Sequence, residues 1–207
     1  VDQKASILNL ASYNLRAVGR LSEALPVMKT ALDIDIKQMN WEYASQDAEN
    51  LSELELTLGN VIYAVKTAKD AVKYADKSEI EYQMYTNRAT LADALHQWGQ
   101  FDEATRLFRE VEARQQKELP QYQYLYSVPG YKYCDLLLNC GQWQEVKKRA
   151  KEASIHAKSR KLVQEFSLSK LSLAQAMMLE SFKCNSVNTQ NPTLALIEFN
   201  EALDGLK

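Results

Sequence analysis

Four glycines, Gly19, Gly59, Gly99 and Gly141, stand 40, 40 and 42 residues apart, and the same small and apolar residues return around each at the same offsets. Two positions after them come Leu21, Val61, Phe101 and Trp143, and five after them Ala24, Ala64, Ala104 and Val146. Nine after stand Met28, Ala68, Phe108 and Ala150, and twelve after, Ala31, Ala71, Val111 and Ala153. Seven before each glycine the residue is always small (Ser12, Ser52, Ala92, Cys134), and eight before it are Ala11, Leu51, Leu91 and Tyr133. Steps of three and four residues inside a unit are helical. A unit repeating every 20–50 residues buries its apolar face only by stacking on its neighbours, which is the physics of a solenoid.

The repeat spreads evenly over 207 residues, and no Pro-, Gly- or Ser-rich linker interrupts it, so a single elongated repeat domain over 1–207 is expected. Six Gly and four Pro against abundant Ala, Leu, Lys, Glu and Gln favour helix over strand. The chain opens at Val1 in helical pattern and stops at Lys207 just past one, which suggests a piece of a longer protein. A net charge of −2 argues against a dedicated nucleic-acid binder but hides a local asymmetry. Seven acidic residues face one Lys between Asp33 and Leu56, and seven basic residues face two acidic ones between Glu145 and Lys161. Cys134, Cys140 and Cys184 are an odd set without close pairing, which fits a reducing compartment rather than a disulfide framework. With no secretory leader pattern and no run of eighteen apolar residues, the expectation is a cytoplasmic chain with no membrane partner.

The pattern predicts helices at about 3–18, 20–37, 41–58, 60–76, 80–98, 101–118, 128–140, 142–158, 161–183 and 192–206, or five helix–turn–helix pairs. In the third unit Leu91, Ala94, Leu95 and Trp98 lead to Gly99 as a left-handed stop, and Phe101, Ala104, Leu107, Phe108 and Val111 resume the spacing. Two stretches break the period. Between Pro120 and Pro129 lies an aromatic segment, since each proline disfavours helix in the residue before it. From Cys184 to Pro192 a polar stretch reads as a loop, with Asn191–Pro192 setting the start of the last helix.

Leu91, Ala92, Gly99, Ala104 and Phe108, and then Gly19, Ala24, Met28 and Ala31, resemble the tetratricopeptide repeat: small residue and leucine in the first helix, glycine near the turn, then alanine, aromatic and alanine in the second. The resemblance covers essentially the whole chain. It implies an all-α fold, an α-solenoid (right-handed superhelix) of about five antiparallel helix pairs, acting in protein–protein interaction. The period of 40 to 42 exceeds the family's usual 34, and its closing proline is absent, so the chain resembles the long-helix arrays fused to bacterial STAND-type signalling NTPases. That resemblance implies a sensor or regulatory segment working on other domains of the same polypeptide as the alternative function.

In this family the first helix of each pair lines the concave groove. Six residues before each glycine stand Tyr13, Glu53, Asp93 and Asp135; three before are Arg16, Leu56, His96 and Leu138. Ten before are Asn9, Glu49, Ala89 and Tyr131. The expected partner-binding groove therefore comprises Tyr13, Arg16, Glu49, Glu53, Asp93, His96, Tyr131 and Asp135. Its acids would sit about 10 Å apart on successive helices, a stripe suited to a protein or peptide with a cationic segment. The same acids equally fit the solvated stripe of any amphipathic helix.

Catalysis finds little support. His96 has no Ser, Cys or second His at a matching helical offset, and no glycine-rich phosphate loop exists. Cys134 and Cys140, six apart on one helix, point too differently to share a metal and read as core thiols. No cofactor or metal is expected, and no enzymatic activity in this chain. The basic run Lys147, Lys148, Arg149 and Lys151 reads first as a solvated face of a second helix, and the tyrosines between 122 and 133 as packing across an enlarged gap.

Overall fold

The structure is a computed structural model and describes residues 3–183 and 190–205. Cys184 and most of the polar stretch that follows it lie outside the described residues. Among the described residues ten helices are seen: α1 (Gln3–Ala17), α2 (Leu21–Lys37), α3 (Trp41–Thr57), α4 (Val61–Ser78), α5 (Glu81–Gln97), α6 (Phe101–Glu118), α7 (Ser127–Asn139), α8 (Trp143–Ser159), α9 (Val163–Lys183) and α10 (Gln190–Gly205). There is no strand among the described residues.

The turn chemistry behind this order is uniform. Gly99 has φ +83°, its N–H donates to the carbonyl of His96, and the next N–H, that of Gln100, reaches back to Leu95. The same bonds recur at Gly19, Gly59 and Gly141, closing four first helices with left-handed caps. Twenty residues after three of these glycines, Met39, Glu79 and Lys161 take the same positive φ without being glycine. Except at the end of α6, a left-handed cap thus falls about every twenty residues, and only alternate caps are visible as glycine in the sequence.

The chain divides into two compact units, Val1–Val111 and Glu112–Lys207. In the first, α1 packs on α2, α2 on α3, α3 on α4, and α5 on both α3 and α4. Its core includes Met28, Leu32, Leu51 and Leu54 around Ala24, Ala44, Ala48 and Ala71. The alanines five after the glycines, Ala24, Ala64 and Ala104, are fully covered, as a helix crossing with axes about 8–10 Å apart requires of its contact residues. In the second unit α7 and α8 pack on each other and on α9, and α9 packs on α10. Leu136, Leu137, Val146, Ala150, Leu173, Ala174 and Ala176 are buried there.

The segment between α6 and α7 is held by side chains rather than by regular structure. Gln115 donates to the carbonyl of Tyr124 and accepts from the N–H of Tyr126, and Glu112 accepts from the N–H of Leu125. Gly130 is what lets the segment close on α7: a Cβ there would lie 2.1 Å from the Leu125 carbonyl oxygen.

Candidate functional site

Along α2 the residues five, nine, twelve and sixteen after Gly19 form one buried row: Ala24, Met28, Ala31 and Asp35. The positions equivalent to Asp35 hold Ala75, Gln115 and Ala157, so in this first unit alone the row ends in a carboxyl group. On α3, Asp47 begins a second such row, followed at helical spacing by Leu51 and Leu54. Helix packing therefore carries two acids to the core side, where Asp35 is 3 % and Asp47 6 % exposed.

They meet at a polar hollow of about 340 Å³ walled by α1 and α3. Asn9, Ser12, Tyr13 and Arg16 face it from α1, and Tyr43, Gln46 and Asn50 from α3. The two carboxyl groups are hydrogen-bonded to each other, and Asn9 also bonds Asp47. Burial pushes Asp47 up to about 7, opposed by the Asn9 hydrogen bond and aided by the charge of Asp35. Asp35 is raised too, mainly by burial, with its bond to Asp47 working the other way. Two carboxyl groups this close share a proton more readily than they both ionise. Each still has one oxygen, Oδ2, without a hydrogen-bond partner. Arg16 lines the same hollow.

Of the residues expected in the groove, Tyr13 and Arg16 are thus brought together at this hollow. Glu49 is half-buried and accepts a hydrogen bond from Thr90 on α5 at 3.0 Å, so it ties first helices together. Glu53 is half-buried on α3. Asp93 and His96 are buried on α5, the His96 ring 5.9 Å from that of Phe101, rather than lying on an open wall. They belong to a helix buried along nearly its whole second half, with Gln83, Asn87 and Thr90 also covered. Tyr131 and Asp135 lie in the second unit, both half-buried on α7.

Tyr131 borders a separate hollow of about 200 Å³ within the second unit. Tyr122 stacks on Tyr126 there at 4.2 Å, meets His156 edge-on at 4.4 Å, and accepts a hydrogen bond from Arg160. Its Cys134 is pushed up to about 12 by burial, with the nearby Arg149 working against that, so the sulfur stays a thiol rather than a nucleophile. The tyrosines pack, in keeping with their sequence context. Arg149, by contrast, is no solvated face: it clasps Glu112 through both guanidinium nitrogens and lies 4.6 Å from the Tyr124 ring and 4.7 Å from that of Tyr133. Lys147 likewise pairs with Glu180 on α9 at 2.7 Å.

Sequence reasoning passed over Asp35 and Asp47, although a signal was present. Both are charged residues on rows whose other members are apolar, inside the acidic stretch from Asp33 to Leu56. The acids that recur at one offset from the glycines belong to a different stripe of each helix, so these two fell outside it.

No family model and no curated protein matches the chain. Solved structures do. A Podosopora anserina protein described as a kinesin light chain with nearly identical TPR-like repeats superposes with a TM-score of 0.68 at 18 % identity, covering 100 % of this chain and 99 % of that one. A variant of it gives 0.69 at 18 % identity, with 98 % and 96 % covered. BtubC (BKLC) from P. vanneervenii gives 0.60 at 12 % identity, with 99 % and 91 % covered. At such identities the likeness is one of fold, and together with the helix pairs and their glycine caps it makes this chain an all-α solenoid of TPR-like repeats.

Proposed function

We propose that the chain is a protein-interaction scaffold whose partner, a protein or peptide element, is received on the face formed by the first helices of its repeats. The observation that carries this is the polar hollow between α1 and α3, where both helix walls offer hydrogen-bonding side chains instead of packing. Tyr13 (68 % exposed) and Tyr43 (47 %) stand at it as large amphipathic rings, the residue type that interfaces favour. Glu49 and Glu53 are half-buried on the same α3. The fold likeness supports a scaffold in the general sense that solenoid repeats present extended binding surfaces.

Photo-reactive phenylalanine analogues placed singly at Tyr13, Tyr43, Ile62 and Tyr63 of the chain test the face. The last two are exposed on α4, a second helix. The same partner should be captured from positions 13 and 43 and lost from 62 and 63. Capture that is equal from both helices, or confined to α4, overturns the assignment.

A further inference from the structure

We propose that copies of this chain join head to tail, α1 of one copy lying on an apolar stripe of α10 of another as α3 lies on α2 within the chain. This surface is separate from the first-helix face, and neither reading depends on the other.

Position identifies the stripe. Ala195 and Ala202 of α10 are buried seven residues apart, as Ala24 and Ala31 of α2 are, and this aligns Leu196, Phe199 and Leu203 with Leu25, Met28 and Leu32. On α2 those three side chains pack with Ala44 and Ala48 of α3 in one core. On α10 the equivalents stand open: Leu196 is 59 %, Phe199 40 % and Leu203 43 % exposed. Large apolar side chains at steps of three and four share one side of a helix, and a contiguous exposed patch of them marks an interaction surface.

The matching half lies on α1. Ile7, Leu8 and Ala11 precede Gly19 by 12, 11 and 8 residues, as Asp47, Ala48 and Leu51 precede Gly59. The three on α3 are buried, whereas Ile7 is 64 % exposed and Leu8 and Ala11 are half-buried. The chain therefore carries both halves of an α2–α3 junction, one open on α10 and the other on α1.

Charge decides which halves meet. Helix α1 holds Lys4 and Arg16 without an acid, and α10 holds Glu198, Glu201 and Asp204 without a base. Lys170 of α9 bonds both Glu198 and Glu201, and α10 stays net negative beside it. Pairing α10 with a second α10, or α1 with a second α1, would bring like charges together, and α10 with α1 brings opposite ones. A short connection makes α2 and α3 antiparallel; packed the same way, the start of α1, with Lys4, meets the end of α10, with Asp204. At about 100° per residue Ile7 and Ala11 point away from Asn9, Ser12 and Tyr13, so the joint leaves the hollow between α1 and α3 open. Because the two surfaces differ, each joint leaves one of each kind free for the next copy.

Sedimentation velocity on the full chain over rising concentration tests the joint. The parent should pass from monomer to larger species. Ile7→Asp and Leu203→Asp each replace an exposed side chain, and each variant alone should associate at least about tenfold more weakly. Ile62→Asp, at a position exposed on α4, should associate as the parent does. Mixed in equal amounts, the Ile7→Asp and Leu203→Asp variants should form a one-to-one dimer and nothing larger, because one brings an intact α10 and the other an intact α1. Circular dichroism matching the parent shows that the variants fold, and Ile7→Ser with Leu203→Ser repeats the experiment with a milder change. A parent that stays monomeric up to about 1 mM overturns the proposal. So does parent-like association of Ile7→Asp beside a monomeric Leu203→Asp, the mark of α10 pairing with itself. A mixture of the two variants that gives no dimer, or an equal loss with Ile62→Asp, overturns it as well.

Discussion

Asp47 shows how one side chain can be set by its row rather than by its own chemistry. Leu51 and Leu54 must be buried for α3 to pack, and at helical spacing they carry Asp47 inward with them. The cost appears as a proton held harder in the folded chain than in the unfolded one, Asp47 standing at about 7 against an ordinary value of 3.8. A carboxyl raised on folding stabilises the fold below its unfolded value, and that contribution is lost as pH climbs through the folded value. The chain should therefore be less stable at pH 8 than at pH 5. An amide in place of the Asp47 carboxyl would keep a donor toward Asp35 without ionising. Asp47→Asn should accordingly raise the melting temperature at pH 8 by about 2–4 °C, the shift that about 1 kcal/mol gives a chain of this size, and change it little at pH 5. Thermal unfolding followed by circular dichroism at both pH values decides it, and an equal shift at the two would mean that the pair does not hold its proton near neutrality.

Among the elements, the turns differ in ways their shared geometry conceals. Gly99 and Glu79 both adopt positive φ at a helix end, but the left-handed region costs a residue with a Cβ about 1–2 kcal/mol. A Cβ at Gly99 would meet nothing within 4 Å, so Gly99→Ala isolates the backbone cost and should destabilise by about 1 kcal/mol after the entropy that alanine removes from the unfolded chain. Glu79→Gly runs the other way and should stabilise by about 0.5–1 kcal/mol, reduced by the freedom glycine adds to the unfolded chain. Urea denaturation of the two variants against the parent checks both signs together. A Gly99→Ala variant as stable as the parent would mean that its turn relaxes out of the left-handed region. The helices were legible because apolar rows at three- and four-residue steps are a local signal. Their second-helix caps were not, because Met39, Glu79 and Lys161 look like ordinary surface residues until the chain around them forces φ positive.

For the molecule as a whole, stability should be uneven, because each helix pair draws its burial from its neighbours alone. Helix α5 is covered on nearly all sides, with every residue from Ala89 to His96 buried. Helix α10 instead exposes Leu194, Leu196, Ile197, Phe199 and Leu203. Hydrogen exchange should be slowest in α5 and in α6 around Ala104 and Phe108, and faster in α10; uniform protection along the chain would contradict this. The repeat period, the ten helices seen among the described residues and the identity of the small crossing residues were determined by the sequence alone, since each follows from spacing within one helix and its turn. What only the tertiary structure decided is which polar groups end up inside. Asp93 and His96 were placed on an open wall by their offset from Gly99 yet are buried, because α5 is packed against both α3 and α4. Arg149 reads as one member of a basic run and is drawn into a pair with Glu112, 37 residues away. Asp35 and Asp47 meet from two helices, and both carboxyl groups are raised because burial there penalises charge. Periodicity is a property of one segment, whereas desolvation and charge pairing belong to whatever the fold brings to the other side of it.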